Sequence, residues 1–210
     1  MMFVETIRIE NGRLQLPELH QQRMAATIRE VYGSDARVPD IALFLDGVDA
    51  AGCEGVQKCR VLYDRDICGA EITPYTPQQV RSLRVVEADI DYHLKSCDRS
   101  ALMRAASLKG DCDEVIIVRD GLITDTSFTN LVFHGRDGLY TPREPLLRGV
   151  MRRYLLNKGV IQEADLTLED IKPGNLLGIT SVSMINAMLP LESVTRIDVE
   201  AIVIDKPLIV

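Results

Sequence analysis

The sequence predicts an α+β protein built as two lobes, and three observations lead there. Short strand-like runs are mixed with isolated helical spacings, without the regular strand-helix alternation of a doubly wound sheet. The stretch Tyr75-Thr76-Pro77-Gln78-Gln79 turns polar around a proline, which sets a boundary near residue 80. With 210 residues, 46% of them hydrophobic and 26% charged, the chain has material for one large domain or two small lobes with an apolar core. The expected division is a small N-terminal α+β lobe over residues 1–80 and a larger lobe over 81–210 that carries Lys95. Neither an internal repeat nor a low-complexity tract interrupts this reading.

Phe3 to Ile9 alternates apolar and polar positions as a strand does, and Glu10-Asn11-Gly12-Arg13 supplies a hairpin turn. Pro17 then opens a segment with helical spacing at Leu19, Met24, Ile28 and Val31, which Gly33 ends. Ile41 to Leu45, Arg60 to Tyr63 and Ala70 to Thr73 read as further strands between Asp- and Gly-bearing turns. Beyond the boundary, Leu83 to Val86 is a strand and Arg99 to Leu108 a helix. Glu114 to Val118 is almost wholly apolar, as a strand covered on both faces would be, and Asp120-Gly121 is a strong turn signal after it. Leu131-Val132-Phe133 and Leu139-Tyr140 pair across Gly135-Arg136-Asp137-Gly138, and Gly149 introduces a helix through Tyr154 to Asn157. Leu176 to Thr180 and short runs near Val194 and Ile202 complete the set of strands.

Several function classes fall away early. A formal net charge of -7 opposes nucleic-acid binding, which calls for a basic stripe to neutralise phosphates. No apolar run approaches the roughly 20 residues that span a bilayer, and Met1-Met2-Phe3-Val4-Glu5 lacks the basic start and apolar stretch of a secretory leader. A cytoplasmic location is therefore expected. The five cysteines, Cys53, Cys59, Cys68, Cys97 and Cys112, form no CxxC pair and read as reduced, mostly structural thiols. His20, His93 and His134 show no metal-ligand spacing, so no metal is expected. Sequence signatures of nucleotide-binding loops, serine-hydrolase elbows and zincins are absent.

Four segments do carry chemistry. Lys95 lies in Tyr92-His93-Leu94-Lys95-Ser96-Cys97-Asp98-Arg99, and a lysine amine can form a Schiff base with a cofactor aldehyde. About thirty residues on, Thr124-Asp125-Thr126-Ser127-Phe128-Thr129-Asn130 offers an acid that could hold a ring nitrogen protonated. His20-Gln21-Gln22-Arg23 sets a histidine and an arginine nearly one turn apart, where a guanidinium fork could meet an anion. Leu147-Arg148-Gly149-Val150-Met151-Arg152 is a glycine-led helix start whose amides could bind phosphate, and Ile179-Thr180-Ser181-Val182-Ser183 offers hydroxyls and free amides after an apolar strand.

In this order, the segments resemble the class IV aminotransferases, the pyridoxal-phosphate enzymes of fold type IV, which include branched-chain and D-amino-acid aminotransferases and aminodeoxychorismate lyase. The resemblance runs from Phe3-Val4-Glu5-Thr6-Ile7-Arg8 through His20 and Arg23, Lys95, Asp113-Glu114-Val115 and Ile123-Thr124-Asp125. It continues through Asn130-Leu131-Val132-Phe133, Leu139-Tyr140-Thr141-Pro142 and Gly149-Val150-Met151-Arg152. It implies a compact, two-lobed, D-amino-acid-aminotransferase-like fold and pyridoxal 5'-phosphate as cofactor. Lys95 would be the catalytic Schiff-base lysine and proton carrier. Arg23 would hold the cofactor phosphate, with the amides of Val150 and Met151 and the Ser181-Val182 turn completing the cup. Asp125, where the family usually has glutamate, would face the pyridine nitrogen, with Ser127 and Phe128 beside it.

The resemblance also bears on the reaction. Branched-chain members usually place a tyrosine five residues after the lysine, where this chain has Ser100. Lys95-Ser96-Cys97-Asp98-Arg99 is closer to the pattern of aminodeoxychorismate lyases and D-amino-acid aminotransferases, with Asp98 in place of the usual asparagine, and Arg99 favours the lyase. The implied activity is cleavage of 4-amino-4-deoxychorismate to pyruvate and 4-aminobenzoate for folate synthesis. An amino-acid aminotransferase of the D-amino-acid or branched-chain type and a non-catalytic cofactor- or partner-binding relative stay open beside it. The chain starts almost on the Phe-x-Glu-Thr segment and stops at Val210, which implies reduced pocket loops. A homodimer acting on a small amino substrate is implied as well, with no nucleic acid or membrane partner.

Overall fold

Alternation decides the first strand. Phe3, Glu5, Ile7 and Ile9 all point into the protein from β1 (Phe3–Glu10), as a period of two requires when one face is covered. Asn11 and Gly12 both take left-handed backbone angles, φ 51° and 72°, the geometry of a tight hairpin, and pair Glu10 with Arg13 at the start of β2 (Arg13–Leu14). Pro17 opens α1 (Pro17–Tyr32), where its missing N–H costs nothing. The helix buries His20, Met24, Thr27 and Ile28 and ends at Gly33, φ 102°, whose N–H donates to the Arg29 carbonyl at 3.0 Å.

This computed structural model describes residues 1–46 and 55–209. The chain divides into two units, Met1–Pro77 with Leu94–Asp98, and Gln78–His93 with Arg99–Val210. In the first, β3 (Val56–Tyr63) and β4 (Ile67–Pro74) extend the hairpin into an antiparallel sheet of order β2-β1-β3-β4. Its core joins Phe3 and Ile7 to Met24, Ile28, Val61 and Tyr63. Ile41–Leu45, expected as a strand, is the short helix α2 instead. The Asp40 carboxylate accepts from the Leu43 N–H at 2.9 Å, an N-cap that five apolar residues in a row had masked. Cys53 lies outside the described residues; Cys59, Cys68, Cys97 and Cys112 are free thiols.

Leu94–Asp98 was expected in the C-terminal lobe, but packs within the first unit. Val4 N–H donates to the Lys95 carbonyl at 3.0 Å, Cys97 N–H donates to the Met2 carbonyl at 2.9 Å, and Phe3 pairs with Ser96. The segment thus covers the part of the β1 edge that two-residue β2 leaves bare, while Leu94 joins the core.

The second unit holds two sheets. Residues Leu83–Glu87 (β5) and Glu114–Arg119 (β6) run parallel, with α3 (Ser100–Ser107) between them in sequence. Asp120 and Gly121, φ 52° and 77°, turn the chain into β7 (Leu122–Ile123). The other sheet contains β8 (Asn130–His134), β9 (Leu139–Pro142), then, after α4 (Val150–Asn157), β10 (Gln162–Ala164), β11 (Ser181–Ile185) and β12 (Arg196–Asp198). Its order is β10-β9-β8-β11-β12. The last strand, β13 (Ile202–Ile209), joins the first sheet, giving β13-β5-β6-β7. Ile116 and Val118 face a core shared with Leu131, Phe133 and Val182. Val115 and Ile117 face Leu102 and Ala105 of α3. Double coverage accounts for the apolar run of β6.

Leu176–Thr180 is not a strand. Leu176 is 94% exposed, Gly178 has φ 62°, and the Asn175 side chain both donates to the Ile179 carbonyl and accepts from its N–H, each at 2.9 Å. The strand begins at Ser181, one residue past the end of the expected run. Among the described residues no helix is long and apolar enough to cross a membrane, and no group of three or more His, Cys, Asp or Glu side chains could hold a metal ion.

Candidate active site

In the first unit, which includes Lys95, three polar side chains form a largely buried cluster. Glu5 sits on the core face of β1 with no solvent exposure, a place where an unpaired carboxylate would be costly. Arg23 and His20, three residues apart on one face of α1, supply its partners. The Arg23 Nε and Nη2 donate to Glu5 Oε1 and Oε2 at 2.9 and 2.5 Å. His20 Nδ1 lies 2.6 Å from Glu5 Oε2. Burial pushes the Glu5 carboxyl up, yet the Arg23 charge and the hydrogen bonds from His20 and Arg23 outweigh it and hold the group at about 2.

His20 is shifted down, first by burial and further by the positive charges of Arg23 and Lys95, against the pull of Glu5. The imidazole is therefore neutral, with Nδ1–H donating to Glu5. Its Nε2, buried, has no hydrogen-bond partner among the described residues. Lys95 is half-buried, and its segment is pinned to β1 by backbone bonds on both sides of Ser96.

The second unit contains an acidic cluster around Asp125. Asp125 follows β7 and is 4% exposed. Asn130 Nδ2 donates to its Oδ1 at 2.8 Å, and the Leu147 N–H donates to its Oδ2 at 2.9 Å. Asn130 Nδ2 also reaches the Leu147 carbonyl at 2.8 Å, closing a three-residue ring between the start of β8 and the chain before α4. Burial pushes the Asp125 carboxyl up to about 7, against the Leu147 and Asn130 bonds and the Arg152 charge.

The neighbouring loop is tied down residue by residue. Ser127 Oγ donates to Glu114 Oε2 at 3.0 Å, and the Ser127 carbonyl accepts from Arg99 Nη2 at 2.9 Å. The Phe128 carbonyl accepts from Asn186 Nδ2 at 3.2 Å. The Thr126 and Thr129 hydroxyls lie 2.7 Å apart. Arg99, which the sequence had offered only as a guide to reaction type, thus acts as a tether of this loop.

Gly149 caps α4 without a side chain, and no acidic residue lies in the first turn, so the Val150 and Met151 amides at the helix start receive no side-chain cap from it. A Cβ on Gly149 would come within 2.0 Å of Asn130 Oδ1, so glycine is required by close approach. The Ser181-Val182 expectation needs correction. Both residues lie inside β11, paired on one edge with His134 and Phe133 and on the other with Asp198 and Ile197. Val182 is a core side chain, and the ladder occupies the strand that was to offer free amides.

Sequence reasoning missed two residues of these clusters. Glu5 was quoted only as part of a motif, although a carboxylate at an inward position of an alternating strand always needs a partner. Asn130 was likewise read as a motif letter, and no local signal reveals that it bridges Asp125 and Leu147, which is seventeen residues away.

Known proteins resemble this chain over most of its length. The profile of the amino-transferase class IV family matches residues 2–197. An uncharacterised protein of Haemophilus influenzae is 36% identical over 186 residues, covering 88% of this chain and 96% of its own. The crystal structure of a candidate 4-amino-4-deoxychorismate lyase from Haemophilus somnus superposes with a TM-score of 0.83 at 32% identity, covering 90% of this chain and 97% of that one. A candidate amino-acid aminotransferase from Mesorhizobium loti gives a TM-score of 0.75 at 25% identity, over 94% and 98% of the two chains. With nearly its whole length matched, the chain belongs to the class IV aminotransferase family.

Proposed function

We propose that this chain is a pyridoxal-phosphate enzyme that cleaves 4-amino-4-deoxychorismate to pyruvate and 4-aminobenzoate, the latter destined for folate synthesis. The observation that supports this most is its likeness, at 32% identity over nearly the whole of both chains, to the H. somnus protein of that candidate activity. The donor set also fits the cofactor: an amine on a pinned segment, a guanidinium, a helix start without a side-chain cap, and a buried carboxylate. When bound, pyridoxal phosphate supplies an aldehyde that links to amines and a ring that accepts electrons from the substrate.

The residues divide the work as follows. Lys95 Nζ anchors the cofactor, takes the ring proton of the substrate, and returns a proton to the departing enolpyruvyl group. Aromatisation of the product helps to drive that step. Arg23 and the amides of Val150 and Met151 hold the phosphate. Asp125 keeps the pyridine nitrogen protonated, and Ser127 and Phe128 line the loop that carries it. Ser181 and Val182 are left out, because β11 engages their backbone on both edges. The enzyme works as a homodimer in the cytoplasm.

The M. loti relative supports a second reading, an amino-acid aminotransferase using the same lysine to move a proton between substrate and cofactor. One experiment separates them. Protein loaded with cofactor is given aminodeoxychorismate without a keto acid, and pyruvate and 4-aminobenzoate are measured. Their release supports the lyase; bleaching by an amino acid, reversed only by a keto acid, supports the transaminase. Borohydride should fix a chromophore to Lys95, and Lys95→Ala should abolish that adduct and cut turnover by about a thousandfold or more. No chromophore in the unmodified protein would sink both readings.

A further inference from the structure

We propose that Glu5 is a positioning residue: it fixes the plane of the Arg23 guanidinium, and through it the protein's grip on a phosphate group. The proposal rests on the cofactor reading above, since it concerns what Arg23 is held in place to do. Its basis is the geometry of a carboxylate without solvent exposure, both of whose oxygens accept from one edge of a guanidinium. Two nearly parallel bonds to a planar fork fix its orientation, not merely its distance. His20 adds a third contact to Glu5 Oε2, so the carboxylate itself cannot rotate freely.

Stability alone does not explain this arrangement. A buried ion pair replaced by apolar side chains of similar volume often leaves a protein equally or more stable. Here the pair interrupts the apolar face formed by Phe3, Ile7 and Ile9, at the place where α1 presents its only inward cation. Arg23 keeps 14% side-chain exposure while Glu5 has none. The guanidinium is thus the member of the pair that reaches outward, and the carboxylate is the member that anchors. The positive charge of Lys95 also acts on His20 in this cluster. Glu5 stays ionised far into acid, so the anchor persists at any working pH.

The test compares two ligands that differ only in phosphate. Apoprotein is titrated with pyridoxal phosphate and with pyridoxal, and the dissociation constant for pyridoxal divided by that for pyridoxal phosphate reports the grip on phosphate independently of Lys95. In Glu5→Gln, which keeps the volume, that ratio should fall about tenfold, while pyridoxal affinity stays within about twofold of the unmodified protein. In an Arg23→Gln background, Glu5→Gln should cause no further fall. Should Glu5→Gln fail to fold, Glu5→Asp, which retains charge but draws it back by one methylene, should lower the ratio in part. An unchanged ratio, an equal loss for both ligands, or an independent loss in the Arg23→Gln background would overturn the proposal while leaving the cofactor reading intact. If the unmodified protein binds neither ligand, the cofactor reading falls, and this one with it.

Discussion

Glu5 and Asp125 are both carboxylates sealed from water, and they respond to burial in opposite ways. Glu5 faces a guanidinium that bonds both of its oxygens, and is held at about 2. Asp125 also has both oxygens bonded, but by an amide side chain and a backbone N–H, and is pushed up to about 7. The kind of donor, and not only the presence of hydrogen bonds on both oxygens, therefore sets the protonation. A full opposite charge in direct contact offsets desolvation, whereas neutral donors with a more distant cation do not. One acid is a permanent anion, and the other is poised to take up or release a proton near neutrality.

The largest expected effect comes from making the first acid resemble the second. Arg23→Leu strands Glu5 as an uncompensated buried charge and should cost about 3–5 kcal/mol of unfolding free energy, measured by urea titration at neutral pH. In that variant the Glu5 carboxyl should rise above its ordinary range, so stability should fall with rising pH through the window where it ionises. Persistence of the original pH profile would contradict the comparison. Next in size is Gly149→Ala, whose new methyl group collides with Asn130 Oδ1 and should destabilise by about 1–3 kcal/mol. Displacing Asn130 also removes a donor from Asp125, so the carboxyl should move further up.

A third expected effect is a pH slope in the unmodified protein. Glu5, lower when folded than its ordinary 4.5, contributes stability that is fully present above about pH 4.5 and lost as pH falls toward about 2. Asp125, higher when folded than its ordinary 3.8, does the reverse. The folded state holds its proton where the unfolded state has lost it, so stability declines as pH rises from about 4 to about 7 and then levels off. Urea midpoints collected across pH 2–8 should show both limbs, and Asp125→Asn should flatten the second alone.

Elements with a local cause were legible in the sequence. The Asn11-Gly12 hairpin, the Pro17 and Gly33 limits of α1, the doubly covered β6 and the Gly149 start of α4 all follow from backbone preference or periodicity. Ile41–Leu45 was misread because five apolar residues are too few to show a period, and only the Asp40 cap separates helix from strand. Leu176–Thr180 was misread because apolar content suggested burial, while Asn175 and Gly178 impose a turn. The site was legible as a list of residue types in order. Its wiring was not, because Glu5 with Arg23 and Asp125 with Leu147 are contacts across 18 and 22 residues that no local pattern encodes.

The path of Leu94–Asp98 has a consequence for modularity. The chain leaves the first unit after Pro77, re-enters it for five residues, and leaves again. That brief return brings the candidate catalytic lysine and also covers the β1 edge above β2. A gene fragment ending at the apparent boundary would therefore encode neither a complete lobe nor half an enzyme. It would yield a sheet with a bare apolar-backed edge, open to pairing with other chains. The two units are thus inseparable by any single cut, and neither could be exchanged as an independent cassette.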